Sequence, residues 1–368
     1  MKSSKESNHT RPVAFFLIAV VLIFTIGFAA GGWQSISNNS DDSGKLGDSN
    51  DNADNDSNKP TANPEPEIYI PEFVELLTGL ETDETTASST PKAFLMSSSH
   101  PLYGISAASV VIEFPIEGNT TRLLTYISSS SLPTKIGSLT PTRKYIDNIA
   151  ASFGGIIISK GNDDSILYEG ADISDFKLDL LRAHGYYYTE YTDYTYTNAD
   201  LIGAAIENMG IKGKNSTSDT IPLNFVDFGK SEILGEKSAY NIVLPFSDGN
   251  ETVLTYLSQN TSYVFSKNGE IKRDALNDKK LEFKNVFILF ADATTYETAS
   301  ASEMILHTNT SGKGIYFTNG TQKSFYWHMD PSFGLTFTDE AGEPLTVNRG
   351  TSYIGFMKSS KINTVSVN

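Results

Sequence analysis

Cysteine is absent from the 368 residues. That absence excludes a disulfide scaffold, thiolate catalysis, cysteine-ligated metal and an N-terminal lipid-modified cysteine. Positive charge is scarce: 28 Lys+Arg stand against 44 Asp+Glu, a formal charge of -16. Phosphate backbones need a basic footprint, so no nucleic acid partner is expected. Broad adhesion to anionic headgroups is disfavoured for the same reason. The five histidines are His9, His100, His184, His307 and His328. None shows a His-x-x-x-His spacing, so no metal site is expected. No cofactor is implied. No Gly-x-Ser-x-Gly elbow occurs. Ser174-Asp175-Phe176-Lys177 fits Ser-x-x-Lys, but its Lys-Thr-Gly partner is missing. Gly229-Lys230-Ser231 imitates the end of a phosphate-binding loop, yet Asn224 stands where the first glycine belongs.

What is present begins with one long apolar run. Val13 to Trp33 carries no charge, and about twenty residues suffice to cross the hydrocarbon core as a helix. Lys2, Lys5 and Arg11 precede it, whereas Asp41, Asp42, Asp48, Asp51, Asp54 and Asp56 follow. Positive charge stays inside, which predicts a short cytoplasmic tail (1–12), a single-pass signal anchor (13–33) and an extracytoplasmic body on the cell membrane. A cleaved signal peptide is the rival reading, but its apolar stretch is usually shorter, about 7–15 residues. Residues 34–66 are rich in Ser, Asn, Asp, Gly and Pro. They lack the apolar side chains to offset ordering entropy and read as a flexible linker.

The remaining length exceeds one compact core and predicts two domains. In residues 67–215, Ala93 to Met96, Val110 to Ile112, Leu123 to Ile127 and Ile156 to Ile158 read as buried strands. Arg143 to Phe153 and Ala199 to Met209 have helical spacing, the second with Asn198 as cap and Gly210 as stop. Strands alternating with helices predict an N-terminal α/β layer domain. Residues 220–360 carry short alternating strands, with hairpin-type turns at Asn268-Gly269 and Asn319-Gly320. They predict a mainly β C-terminal domain, so the fold class expected is α+β.

The ordered signatures of this body resemble the YerB-like lipoproteins, a bacterial group of unknown function. Gly104-Ile105-Ser106-Ala107-Ala108, Glu113, Glu117-Gly118 and Thr121-Arg122 resemble the first signature. Lys135-Ile136-Gly137 through Arg143-Lys144-Tyr145 resembles the second. Asn241-Ile242, Pro245-Phe246, Tyr263, Asp274, Trp327 and Gly350-Thr351 keep the expected order further on. The resemblance implies a two-domain extracytoplasmic protein. Members commonly carry a lipobox cysteine, which is absent here. Ser138, Thr140 and Ser159 stand where proline, arginine and histidine are usual, and Tyr196 to Ala199 replaces a His-Asn-Leu-Tyr run.

Arg122 and Arg143 fall within the matched signatures of an otherwise acidic protein. Two guanidinium forks suit a carboxylate or phosphate, and Lys144 and Lys135 add field. The competing expectation is that each arginine pairs with a local acid, Glu113 or Glu117. Those two glutamates, four apart in an extended strand, would share a face, although Pro115 between them suggests a strand end. The candidate ligand-binding set is therefore Arg122, Arg143, Glu113 and Lys144. Tyr186 to Tyr196 forms a dense aromatic run, read first as a strand plus loop packed at the domain interface, with a glycan- or peptide-binding surface as the alternative. The function expected is binding of an anionic ligand or a cell-wall or envelope partner by a membrane-anchored extracytoplasmic protein. The alternative is an enzyme acting on cell-wall or other envelope polymer.

Overall fold

The chain divides into two units, Met1–Pro64 and Glu65–Asn368. A computed structural model describes residues 68–368, except 162–172, 192–193, 218–219, 236, 298–301 and 331–333. The tail, anchor helix and linker expected at 1–12, 13–33 and 34–66 lie outside the described residues. Among the described residues no helix is long and apolar enough to cross a membrane.

Helix is sparse in the body. Among the described residues α-helix is confined to α1 (Glu84–Ala87), α2 (Lys144–Phe153) and α3 (Ala199–Met209). The expected signals set the bounds of the last: the Asn198 side chain accepts from Leu201 N, and Gly210 leaves in the left-handed conformation. Strands dominate. The first half supplies β1 (Lys92–Ser97), β2 (Val110–Pro115), β3 (Thr121–Ile127), β4 (Ile136–Leu139), β5 (Ile156–Ser159), β6 (Lys177–Asp179), β7 (Tyr188–Glu190) and β8 (Tyr194–Thr197). The second half begins with β9 (Asn224–Phe225), β10 (Asn241–Ser247), β11 (Asn250–Leu257), β12 (Ser262–Lys267), β13 (Glu270–Ile271), β14 (Glu282–Phe283) and β15 (Asn285–Ala291). It continues through β16 (Ala293–Glu297), β17 (Ser302–Leu306), β18 (Ser311–Thr318), β19 (Thr321–Asp330), β20 (Gly334–Thr338), β21 (Thr346–Val347), β22 (Ser352–Lys358) and β23 (Ser366–Val367).

The main sheet has 13 strands in the order β20-β19-β18-β15-β22-β2-β3-β1-β4-β8-β7, with β5 paired to β1 and β6 to β5. A second, six-stranded sheet runs β13-β12-β11-β10-β23, with β14 beside β12. This corrects the expected α+β arrangement. The body is mostly β, organised on one large mixed sheet, and has no N-terminal α/β layer domain. Strands of both halves share that sheet, since β22 pairs in parallel with both β2 and β15.

The expectation failed because runs such as Val110-Val111-Ile112 report burial on both faces without naming the cover. Helices are the usual cover; here the second sheet shares that role on one side with α3 and connecting segments. Side chains alternate along each strand. Leu124 and Tyr126 of β3 enter one core, against α2 residues Tyr145, Ile146, Ile149 and Phe153. Leu123 and Ile127 enter the other, which holds Ile242, Leu244, Leu254 and Phe265 of the second sheet and Ile202 of α3. The end strands return to α2, where Leu335 N donates to Ser152 Oγ at 2.9 Å.

Candidate functional site

Strands β1, β2, β5, β6, β15 and β22 all point one way. Their carboxyl ends share one edge of the sheet. The chain leaving β4 crosses this edge: Thr140 N donates to Leu95 O at 3.0 Å, and Thr142 N to Gly161 O at 3.1 Å. It then enters α2, so the helix N-terminus sits at the same edge. Arg143 is the N-cap residue.

Arg122 opens β3, opposite Ser97 and Phe114, and so reaches this edge too. Its Nη1 donates to Pro141 O at 2.6 Å. Arg143 Nη1 donates to the next carbonyl, Thr142 O, at 3.2 Å. The two guanidinium groups thus converge on consecutive peptide carbonyls. Arg143 also forms an ion pair with Glu117, the local pairing that the sequence offers. Lys144 follows as the first residue of α2.

One turn into α2, Asp147 is buried, a residue that sequence reasoning passed over. It accepts from Thr142 Oγ1 at 2.7 Å and from Lys177 Nζ at 2.7 Å. Burial pushes its carboxyl up from the ordinary aspartate range, and the Lys177 charge opposes that rise without cancelling it. Lys177 of the chance Ser-x-x-Lys match is therefore engaged in an ion pair.

Glu113 is not part of this cluster. It precedes Phe114, the register partner of Arg122, so strand alternation sends it to the opposite face of the sheet. There it is 0 % exposed. Its Oε1 accepts from Lys267 Nζ at 2.5 Å and Thr121 Oγ1 at 2.6 Å. Its Oε2 accepts from Tyr353 OH at 2.6 Å and Thr252 Oγ1 at 2.9 Å. Lys267 Nζ additionally donates to Thr252 Oγ1 at 3.0 Å and lies 4.8 Å from the Phe246 ring centroid. This charge is paired and fully hydrogen-bonded, as a buried ion pair must be. The network joins β2, β3 and β22 to β11 and β12, which makes Glu113 an interlayer fastening.

The tyrosine run forms β7, the last strand on one side of the main sheet, and its neighbour β8. Lys135 lies between the rings of Tyr103 and Tyr196, at 4.0 and 4.1 Å from their centroids, and pairs with Glu190 at 2.6 Å. Burial lifts the Tyr196 phenol to about 12. Of the tyrosines of this run, Tyr191 is the exposed one, at 85 %. His100 Nδ1 lies 3.1 Å from Ser138 Oγ, and its ring meets that of Tyr194 at 4.3 Å. Among the described residues no group of His, Asp and Glu could hold a metal ion.

Two family models cover this body in order. Residues 77–212 match the N-terminal domain, and 242–354 the C-terminal domain, of "Protein of unknown function (DUF3048)". The chain belongs to the DUF3048 family. A relative in this family is "Putative lipoprotein YerB" of Bacillus subtilis (strain 168), 27 % identical over 265 residues, which span 68 % of this chain and 76 % of that protein. The crystal structure of the YerB protein from Bacillus subtilis matches with a TM-score of 0.65 at 21 % identity, covering 81 % of this chain and 100 % of that one. That likeness supports the fold. Ser138 lies on β4, Thr140 on the segment that follows it, and Ser159 at the end of β5.

Proposed function

We propose that this member of the DUF3048 family is a membrane-associated extracytoplasmic protein whose body binds an anionic ligand at the α2 edge. The charge asymmetry around residues 13–33 and the lipoprotein name of its relative support the location. The observation that carries the binding reading is the convergence of Arg122 and Arg143 on Pro141 O and Thr142 O, beside Lys144 and the α2 N-terminus. Guanidinium forks and a helix N-terminus both favour carboxylate or phosphate. Glu113 leaves the proposed set because its charge is spent in the interlayer network.

The test is a titration of the full chain in neutral detergent micelles with citrate and inorganic phosphate. Binding is expected in the native protein, with a loss of about tenfold in Arg143→Ala, the cost of one charge-assisted contact. Equal affinity in the two proteins contradicts the assignment. A second reading is an enzyme acting on envelope polymer, for which Asp147, a carboxyl held beside Lys177 one turn into α2, is the titratable candidate. Turnover of isolated cell-wall polymer by the native chain, abolished in Asp147→Asn, would select it; no turnover would dismiss it.

A further inference from the structure

On the opposite face of the main sheet a cleft of about 460 Å³ opens between the segment 105–108 and the strand-to-strand loop that ends in β14. Ser106, Lys279, Lys280, Glu282 and Thr351 line it, over Phe283. Its walls are fixed. The buried Asp274 carboxylate accepts from Gly104 N at 2.9 Å, Ser106 N at 2.9 Å, Ser106 Oγ at 2.6 Å and Leu276 N at 2.8 Å. Ala275 N donates to Leu102 O at 2.8 Å. The loop therefore holds its shape against the segment that forms the other wall.

The charges on this loop are unevenly used. Lys272 pairs with Glu270 at 3.7 Å, and Arg273 with Asp278 at 3.2 Å. Lys279 and Lys280 make no ion pair among the described residues, and both are exposed. Glu282, the carboxylate of the lining, is engaged by Asn260 Nδ2 at 3.1 Å and Ser262 Oγ at 2.8 Å. The Ser106 and Thr351 hydroxyl protons are also committed, to Asp274 and to Glu282 O. Among the described residues of this lining, the side chains that bring positive charge are thus Lys279 and Lys280, against the one carboxylate of Glu282, in a chain of formal charge -16.

We infer that this cleft binds a phosphate-bearing anion, free or carried on a lipid headgroup, between Lys279 and Lys280. Compact ammonium charges suit phosphate as point charges, whereas bidentate recognition calls for arginine. The site is separate from the α2 edge, because Leu281 and Phe283 belong to the core on the other face of the sheet.

The test uses the full chain reconstituted in phosphatidylcholine nanodiscs. Amine labelling of individual lysines is followed by mass spectrometry while inorganic phosphate is added at constant ionic strength. Labelling of Lys279 and Lys280 should slow, while exposed Lys313 serves as the reference. Nanodiscs containing phosphatidylglycerol should protect the same pair without added phosphate if the headgroup is the source. By calorimetry, Lys279→Gln/Lys280→Gln should weaken phosphate binding about tenfold at this site, and Arg143→Ala should leave the protection of the lysine pair unchanged. Absence of protection under both conditions, or equal slowing at Lys313, overturns the inference.

Discussion

Glu113 and Lys267 are the two side chains whose roles are set most fully by their surroundings. Removing one partner leaves a buried charge uncompensated, which costs about 3–5 kcal/mol. Lys267→Met should therefore lower stability by about that amount in chemical denaturation, and Glu113→Leu combined with it should recover much of the loss. Additive losses in the double variant would refute the pairing as the cause. Asp147 gives a pH signature. Its folded carboxyl titrates above the ordinary value, about 3.9, so the folded state holds the proton longer than the unfolded one. Stability should fall as pH rises from that value towards the raised one. In Asp147→Asn this fall should disappear from a series of thermal melts across mildly acidic pH. An unchanged slope would place the titration elsewhere.

The sequence showed part of this residue-level picture. Glu117 was one of two acids offered to the arginines, and it is the one that pairs with Arg143. Lys267 was passed over although a signal existed: it alternates with the buried Tyr263 and Phe265 on one strand face. Nothing in the sequence says that its partner lies on β2, because that meeting depends on how two sheets stack.

At the scale of elements, local chemistry was legible. The runs Val110-Val111-Ile112, Leu123 to Ile127 and Ile156 to Ile158 form strands, and the two helical patterns form α2 and α3. The caps act locally, so Asn198→Ala should cost about 1 kcal/mol through loss of its bond to Leu201 N, measured by thermal unfolding. Gly155 is more demanding. It links α2 to β5 at φ +88°, and a Cβ there would stand 2.3 Å from Pro91 O. Gly155→Ala should destabilise the fold well beyond the ordinary surface substitution, about 0.5 kcal/mol, because backbone must shift. What lay beyond local reading was the cover on each strand face, hence the mistaken expectation of helical layers.

For the whole molecule, the decisive fact is that both halves of the body feed one sheet. β22, near the C-terminus, lies between β2 and β15, and both cores take side chains from each half. Unfolding of the full chain should accordingly follow one transition when tryptophan fluorescence and far-ultraviolet dichroism are compared. Trp327 reports from the second half, on the α2 side of the sheet. Two separated transitions would mean that the halves hold together independently.

The α2 edge admits a direct test of sign. Glu117 neutralises Arg143 in the free protein, so an anion that uses Arg143 must compete with this carboxylate. Calorimetric titration of the full chain with citrate should show Glu117→Gln binding more tightly than the native protein, by about threefold to tenfold, given the energy of a partly exposed ion pair. Unchanged or weaker binding in Glu117→Gln would show that Arg143 serves the fold and not a ligand.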